Sequence, residues 1–123
     1  MRNILLTFLL LNSFFSYAGI YDTKHFFEKT IIDLGCIKPN GNQVTANFVF
    51  HNQTGNIVTI MDVKRTCGCI KIEYPTHPIN IQETGNIKVT INVNKVSGYF
   101  QKTVLVYGLG IKPTILKIKG KIQ

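Results

Sequence analysis

The sequence predicts an all-β fold, an immunoglobulin-like antiparallel β-sandwich of about seven strands. Three observations predict it. First, Gln43–His51 and Ile87–Val93 alternate apolar and polar side chains, the mark of strands with one buried face. Second, clusters of Gly, Pro, Asn and Ser recur between short apolar runs, as turns between short strands require. Third, no stretch after the N-terminal segment shows the three-and-four spacing of an amphipathic helix. With 123 residues, 45% of them hydrophobic, the chain suits one packed domain rather than a disordered polymer. A small barrel is the rival architecture, because strand number alone does not fix closure.

In chain order, residues 1–18 read as a signal peptide. Arg2 supplies a positive start, and Ile4 to Phe15 form an apolar run broken by Thr7, Asn12 and Ser13. Ser16-Tyr17-Ala18 places small residues at the last and third-last positions of a cleavage site. The run is shorter than the roughly 20 residues of a membrane span. Cleavage after Ala18 is therefore expected, leaving no transmembrane segment and no cysteine at the new terminus for lipidation. Export would place the cysteines in an oxidising compartment.

Residues 19–29 form a polar-aromatic lead-in, either loosely held or covering one end of the core through Phe26 and Phe27. The sandwich domain is expected over residues 30–123. Thr30–Gly35 reads as its first strand and residues 38–42 as a turn. In Gln43–His51, Val44, Ala46, Phe48 and Phe50 share the inner face; Thr45, Asn47 and His51 face out, with Val49 the exception. After the turn at residues 52–56, Ile57–Val63 is nearly continuous and β-branched, which suits a central strand or one carrying a bulge. Ile70–Tyr74 is a short strand, and Pro75-Thr76-His77-Pro78 must be a loop, since two prolines remove ladder donors. Thr84-Gly85-Asn86 reads as a turn before Ile87–Val93. Phe100–Tyr107 follows, Gly108 and Gly110 mark a bend, and the last strand alternates Leu116, Ile118 and Ile122 with Lys117, Lys119 and Lys121. Gly120 falls in its buried row. Outward lysines first read as protection against edge-to-edge pairing; a stripe for an anionic ligand is the alternative.

The formal net charge of +8 favours acidic partners without selecting one. Nucleic acid is not expected, since no basic-aromatic stacking platform is evident and export argues against it. No nucleotide loop, zinc-protease helix signature or serine elbow is present in the sequence, and no catalytic residue is assigned.

The ordered set Asp33-Leu34-Gly35, Phe48–Gly55 and Thr66-Cys67-Gly68-Cys69 carries a resemblance. Gly85–Val89, Gly98–Lys102 and Leu116–Gly120 continue it. The chain resembles the bacterial domain-of-unknown-function family numbered fifteen-seventy-three, over roughly Ile31 to Ile122. The resemblance implies a small exported protein of a Gram-negative bacterium, periplasmic or secreted. It also implies a sandwich of the hydin and abnormal-spindle type, with no settled activity. Cys36 and Arg65 depart from the family pattern.

Cys36, Cys67 and Cys69 are the three cysteines, an odd number, so at least one is unpaired within the chain. Residues two apart in a strand share a face, which sets Cys67 and Cys69 side by side, and Gly68 permits a tighter turn between them. Four roles are open: buried thiols, a disulfide within the pair or from Cys36, a metal site, and a redox pair near Lys64 and Arg65. For a metal, Cys67 and Cys69 would need a further ligand such as His77 or His51, a donor set suited to Cu(I) or Zn²⁺. The expectation is a non-enzymatic exported module without cofactor, binding a protein or glycan of the cell envelope. The alternative is a thiol-based metal or redox protein using Cys67-Gly68-Cys69.

Overall fold

A computed structural model describes residues 26–38, 42–93 and 98–123. The signal-peptide reading lies outside the described residues. The elements in order are β1 (Ile31–Ile37), β2 (Gln43–His51), β3 (Thr59–Arg65), β4 (Ile70–Glu73), β5 (Thr84–Asn92), β6 (Gly98–Leu109) and β7 (Thr114–Ile122). They form two sheets, one ordered β1-β7-β6-β3 and the other β2-β5-β4. Every pair is antiparallel except β1 with β7, which is parallel.

Alternation in the sequence becomes the core directly. Phe48 lies opposite Ile87 and Ala46 opposite Val89, all buried between the sheets. Val104, Val106, Leu116 and Ile118 line the other inner face and are fully buried. Burying each of these side chains larger than alanine contributes about 1.5–3 kcal/mol relative to leaving it in water, so these rows fix the register of both sheets.

Four local expectations change. Thr84-Gly85-Asn86 is not a turn but the start of β5, because Gly85 lies opposite Phe50 and makes room for its ring. A Cβ at Gly85 would stand 2.5 Å from Phe50 Cζ. Of the two readings of Ile57–Val63, the bulged strand holds and the central one does not: β3 edges the four-stranded sheet, with a register shift between Ile60 and Asp62. Gly108 does not bend the chain; β6 runs to Leu109, and Gly110, at φ 88°, makes the turn. β1 extends past Gly35 to Ile37 because a bulge lets the strand continue beside β7. Gly35 takes φ 67° there, a conformation that carries no steric penalty without a Cβ, and its N–H donates to Asp33 Oδ1 at 2.9 Å.

The lead-in belongs partly to the core. Phe26 and Phe27 are buried against Phe50, with the Phe26 and Phe50 rings stacked at 4.9 Å. Glu28 N–H donates to the Val49 carbonyl and His51 N–H to the Phe26 carbonyl, both at 2.9 Å. The chain thus lies along β2 in one sheet before crossing to join β7 in the other.

Candidate functional site

The corner between β3 and β4 holds the Cys-Gly-Cys segment. Ile70 N–H closes the turn on the Cys67 carbonyl at 3.3 Å. The Arg65 guanidinium, through Nη1, reaches over it to the Ile70 carbonyl at 2.8 Å. Thr66 Oγ donates to the Thr103 carbonyl of β6 at 2.9 Å. Asn92 N–H of β5 donates to the Cys69 carbonyl at 2.8 Å. The corner is therefore tied to one strand of each sheet. Arg65 thereby bridges the end of β3 to the start of β4.

Cys67 and Cys69 form a disulfide, their alpha carbons 5.2 Å apart, a span that disulfides commonly bridge. Both are half-buried and pack against the core. Cys69 N–H lies 3.2 Å from Cys67 Sγ. Cys36 is free and exposed on β1, in register with Lys121 of β7. It borders a depression of about 370 Å³ shared with Asp33, Tyr99 and Lys119.

The histidines lie away from the disulfide. His77 sits in the loop after β4, 3.7 Å from Glu83 Oε2. Glu83 directly precedes β5, whereas Cys69 meets Asn92 at its far end. A nine-residue strand rising about 3.3 Å per residue keeps them roughly 25 Å apart along it. His51 is at the same distant end, opposite Thr84; its Nδ1 lies 2.7 Å from Thr84 Oγ and its Nε2 3.2 Å from Gln82 Oε1. The structure therefore does not bring His77 or His51 to Cys67 and Cys69. Among the described residues, no group of three or more Cys, His, Asp or Glu side chains is gathered for a metal.

Sequence reasoning missed Asn52, set aside there as the first residue of a turn. It is fully buried. Its Nδ2 donates to the carbonyls of Asn56, Ile79 and Asn80 at 2.8, 3.2 and 3.1 Å. Its Oδ1 accepts from Thr54 N–H and Thr54 Oγ at 3.2 and 2.7 Å. The amide pins the β2–β3 turn to the loop ahead of β5. The one sequence signal was an Asn at a strand end with Thr two residues on, a pattern that also fits an ordinary surface turn.

No curated protein matches this sequence. Among solved structures, a protein of unknown function from Porphyromonas gingivalis W83 superposes with TM-score 0.64 at 10% identity, covering 75% of this chain and 44% of that one. This chain thus spans less than half of that relative. The PapD-like domain 7 of human CEP192 superposes with TM-score 0.63 at 10% identity, covering 88% and 91%. The YadV chaperone gives 0.53 at 14% identity, covering 79% and 51%. At such identities these likenesses show a shared fold: an immunoglobulin-like, PapD-like sandwich. The pattern described as "Protein of unknown function (DUF1573)" matches residues 26–122, which takes in the two buried phenylalanines. The chain belongs to that family.

Proposed function

We propose that the protein is an exported, non-enzymatic module that binds a protein or glycan of the cell envelope. One observation carries this reading: among the described residues, the side chains weighed as metal or redox ligands, Cys67, Cys69, His51 and His77, each already have a partner within the fold. The Cys67 and Cys69 sulfurs are bonded to each other. His51 is held by Thr84 and Gln82. His77 stands beside Glu83, and Asp33 accepts from the Gly35 N–H. What such a scaffold offers a partner is surface. The PapD-like likeness supports a binding role without naming what is bound.

The test is site-specific photo-crosslinking in the living host, with the probe at Thr45 on the three-stranded face, at Ile115 on the four-stranded face and at Thr76 in the loop after β4. A discrete, light-dependent adduct of one mass from one position is expected. Adducts absent from all three positions would overturn the reading.

A thiol role is the second reading, favoured by the disulfide at the β3–β4 corner. In it, an external dithiol would reduce the Cys67–Cys69 bond, leaving two protein thiols and an oxidised donor. The reduced pair alone would offer a soft ion such as Cu(I) two sulfur ligands. Native mass spectrometry with Cu(I) under reducing conditions tests the metal branch. A one-to-one adduct lost in Cys67→Ser is expected, and its absence would end that branch.

A further inference from the structure

The register of β1, β7, β6 and β3 divides the outer face of the four-stranded sheet into two halves. In one half Ile115 lies opposite Leu105, and Thr59 opposite Leu109. Leu109 is 64% exposed and Ile115 53%. Ile57, 58% exposed, continues this half two residues ahead of Thr59. In the other half Lys117, Lys119 and Lys121 follow one another along the outer row of β7, opposite Thr103, Gln101 and Tyr99. Tyr99 is 81% exposed, and Lys121 Nζ lies 5.0 Å from its ring centre. Lys64 adds a charge between the halves, over the Tyr107 ring at 5.2 Å. Two aspartates share the face: Asp33 beside Lys119, and Asp62 opposite Tyr107. The outer face of β2-β5-β4 is different in kind. Thr45 faces Thr90 and Asn47 bonds Asn86, with Lys71 and Lys88 set against Glu73.

We propose that the four-stranded face docks on a lipid bilayer bearing anionic headgroups. Charge complementarity sets the sign of the partner. Side-chain type narrows it. The cations on this face are lysines, compact charges without the bidentate fork of arginine, which suits a diffuse anionic surface better than a stereospecific carboxylate. Exposed Leu109 and Ile115 then separate a bilayer from a soluble polyanion, because a polyanion offers apolar side chains nothing, whereas an interface accepts them beside snorkelling lysines. Tyr99 suits the headgroup region, where an apolar ring and a polar hydroxyl both find partners. This contact adds to the protein or glycan reading above and does not rest on it.

The test is co-sedimentation of the purified chain with vesicles of phosphatidylcholine alone and of phosphatidylcholine mixed with phosphatidylglycerol. Binding is expected only to the mixed vesicles and should weaken as salt rises. Each surface lysine contributes about fivefold, so Lys117→Gln with Lys121→Gln should weaken binding on the order of 25-fold. The matched pair Lys71→Gln with Lys88→Gln on the other face should change it less than about threefold. Leu109→Ser with Ile115→Ser should also weaken it severalfold. As an independent measurement, a polarity-sensitive dye on Cys36, exposed beside Lys121, should shift to the blue on binding. The proposal is overturned if mixed vesicles do not bind, or if the two lysine pairs weaken binding equally. It is also overturned if the Leu109/Ile115 variant binds like wild type, which would mark a site for any polyanion. None of these outcomes bears on the crosslinking result, so the two readings fail separately.

Discussion

Replacing Asn52 by alanine removes one amide from the interior and five contacts with it. The size of the effect depends on what is left behind. The Ile79 carbonyl keeps a second donor, since Val58 N–H reaches it at 3.0 Å. Asn56 and Asn80 belong to exposed residues, whose carbonyls can turn to water. The backbone bonds of Asn52 to Glu83 and Gln82 survive the change. With roughly 1 kcal/mol net per lost bond, less the part recovered by water, the expected loss is about 2–3 kcal/mol. For a domain of this size that lowers Tm by about 10–20 °C. Urea unfolding followed by far-UV circular dichroism measures it, with an unchanged slope and a lower midpoint. Asn52→Asp sharpens the test: it keeps the acceptor for Thr54 but turns an oxygen toward three carbonyls. Burial and those carbonyls would raise the native pKa of the new carboxyl above its unfolded value of about 3.9. The variant should be least destabilised below about pH 4 and lose stability as pH rises through the raised native value. An alanine variant within about 1 kcal/mol of wild type, or an aspartate variant as stable as wild type at neutral pH, would refute the view that this amide holds the turn.

Three further predictions follow from the packing and the cysteines. Gly85→Ala places a methyl 2.5 Å from Phe50 Cζ and should destabilise by about 1–3 kcal/mol; a Tm equal to wild type would show that the ring can move away freely. Phe26→Ala should lose about 3–5 kcal/mol, since that ring is buried and stacked on Phe50, and calorimetry on the folded variant reads the difference. Alkylation of the native protein should label one thiol, Cys36, and all three after reduction. Three labelled thiols without reduction would remove the disulfide from the account.

The fold was legible where one physical signal dominated. The period-two rows of β2 and β5 announce a buried face whatever packs on it, and Phe48 and Val89 lie where that rule puts them. Phe26 and Phe27 were ambiguous, because two aromatics in a polar lead-in have no period to read. Gly85 was misread for the opposite reason: glycine signals both turns and close approach, and only the facing Phe50 ring distinguishes them. At the candidate site, the nearness of Cys67 and Cys69 followed from spacing alone. The exclusion of His77 from that pair did not, because it depends on β4 and β5 carrying the loop to the far end of the sheet. Asn52 was illegible for the same reason, since its carbonyl partners lie up to 28 residues away.

The same strand order disfavours a partner that would meet this sandwich along an edge rather than on a face. An open edge strand offers unpaired backbone groups to any extended chain, and here each edge is blunted differently. Beside β2 runs the segment at Phe26–Glu28, bonded to Val49 and His51. β4 has four residues, too few for a long ladder. β3 carries a register shift between Ile60 and Asp62 and ends in Lys64 and Arg65. β1 is interrupted by the bulge at Gly35, whose N–H already belongs to Asp33. Strand addition would have to undo one of these devices before gaining its first bond. The exposed Tyr99, Leu109 and Ile115 sit instead on the outer rows of β6 and β7, the two inner strands of the four-stranded sheet, where a contact needs no backbone rearrangement. A glutamate placed at Ile115 should therefore weaken vesicle binding in co-sedimentation while leaving the ladder of the sheet intact, because it sets a negative charge on the face without touching a backbone bond.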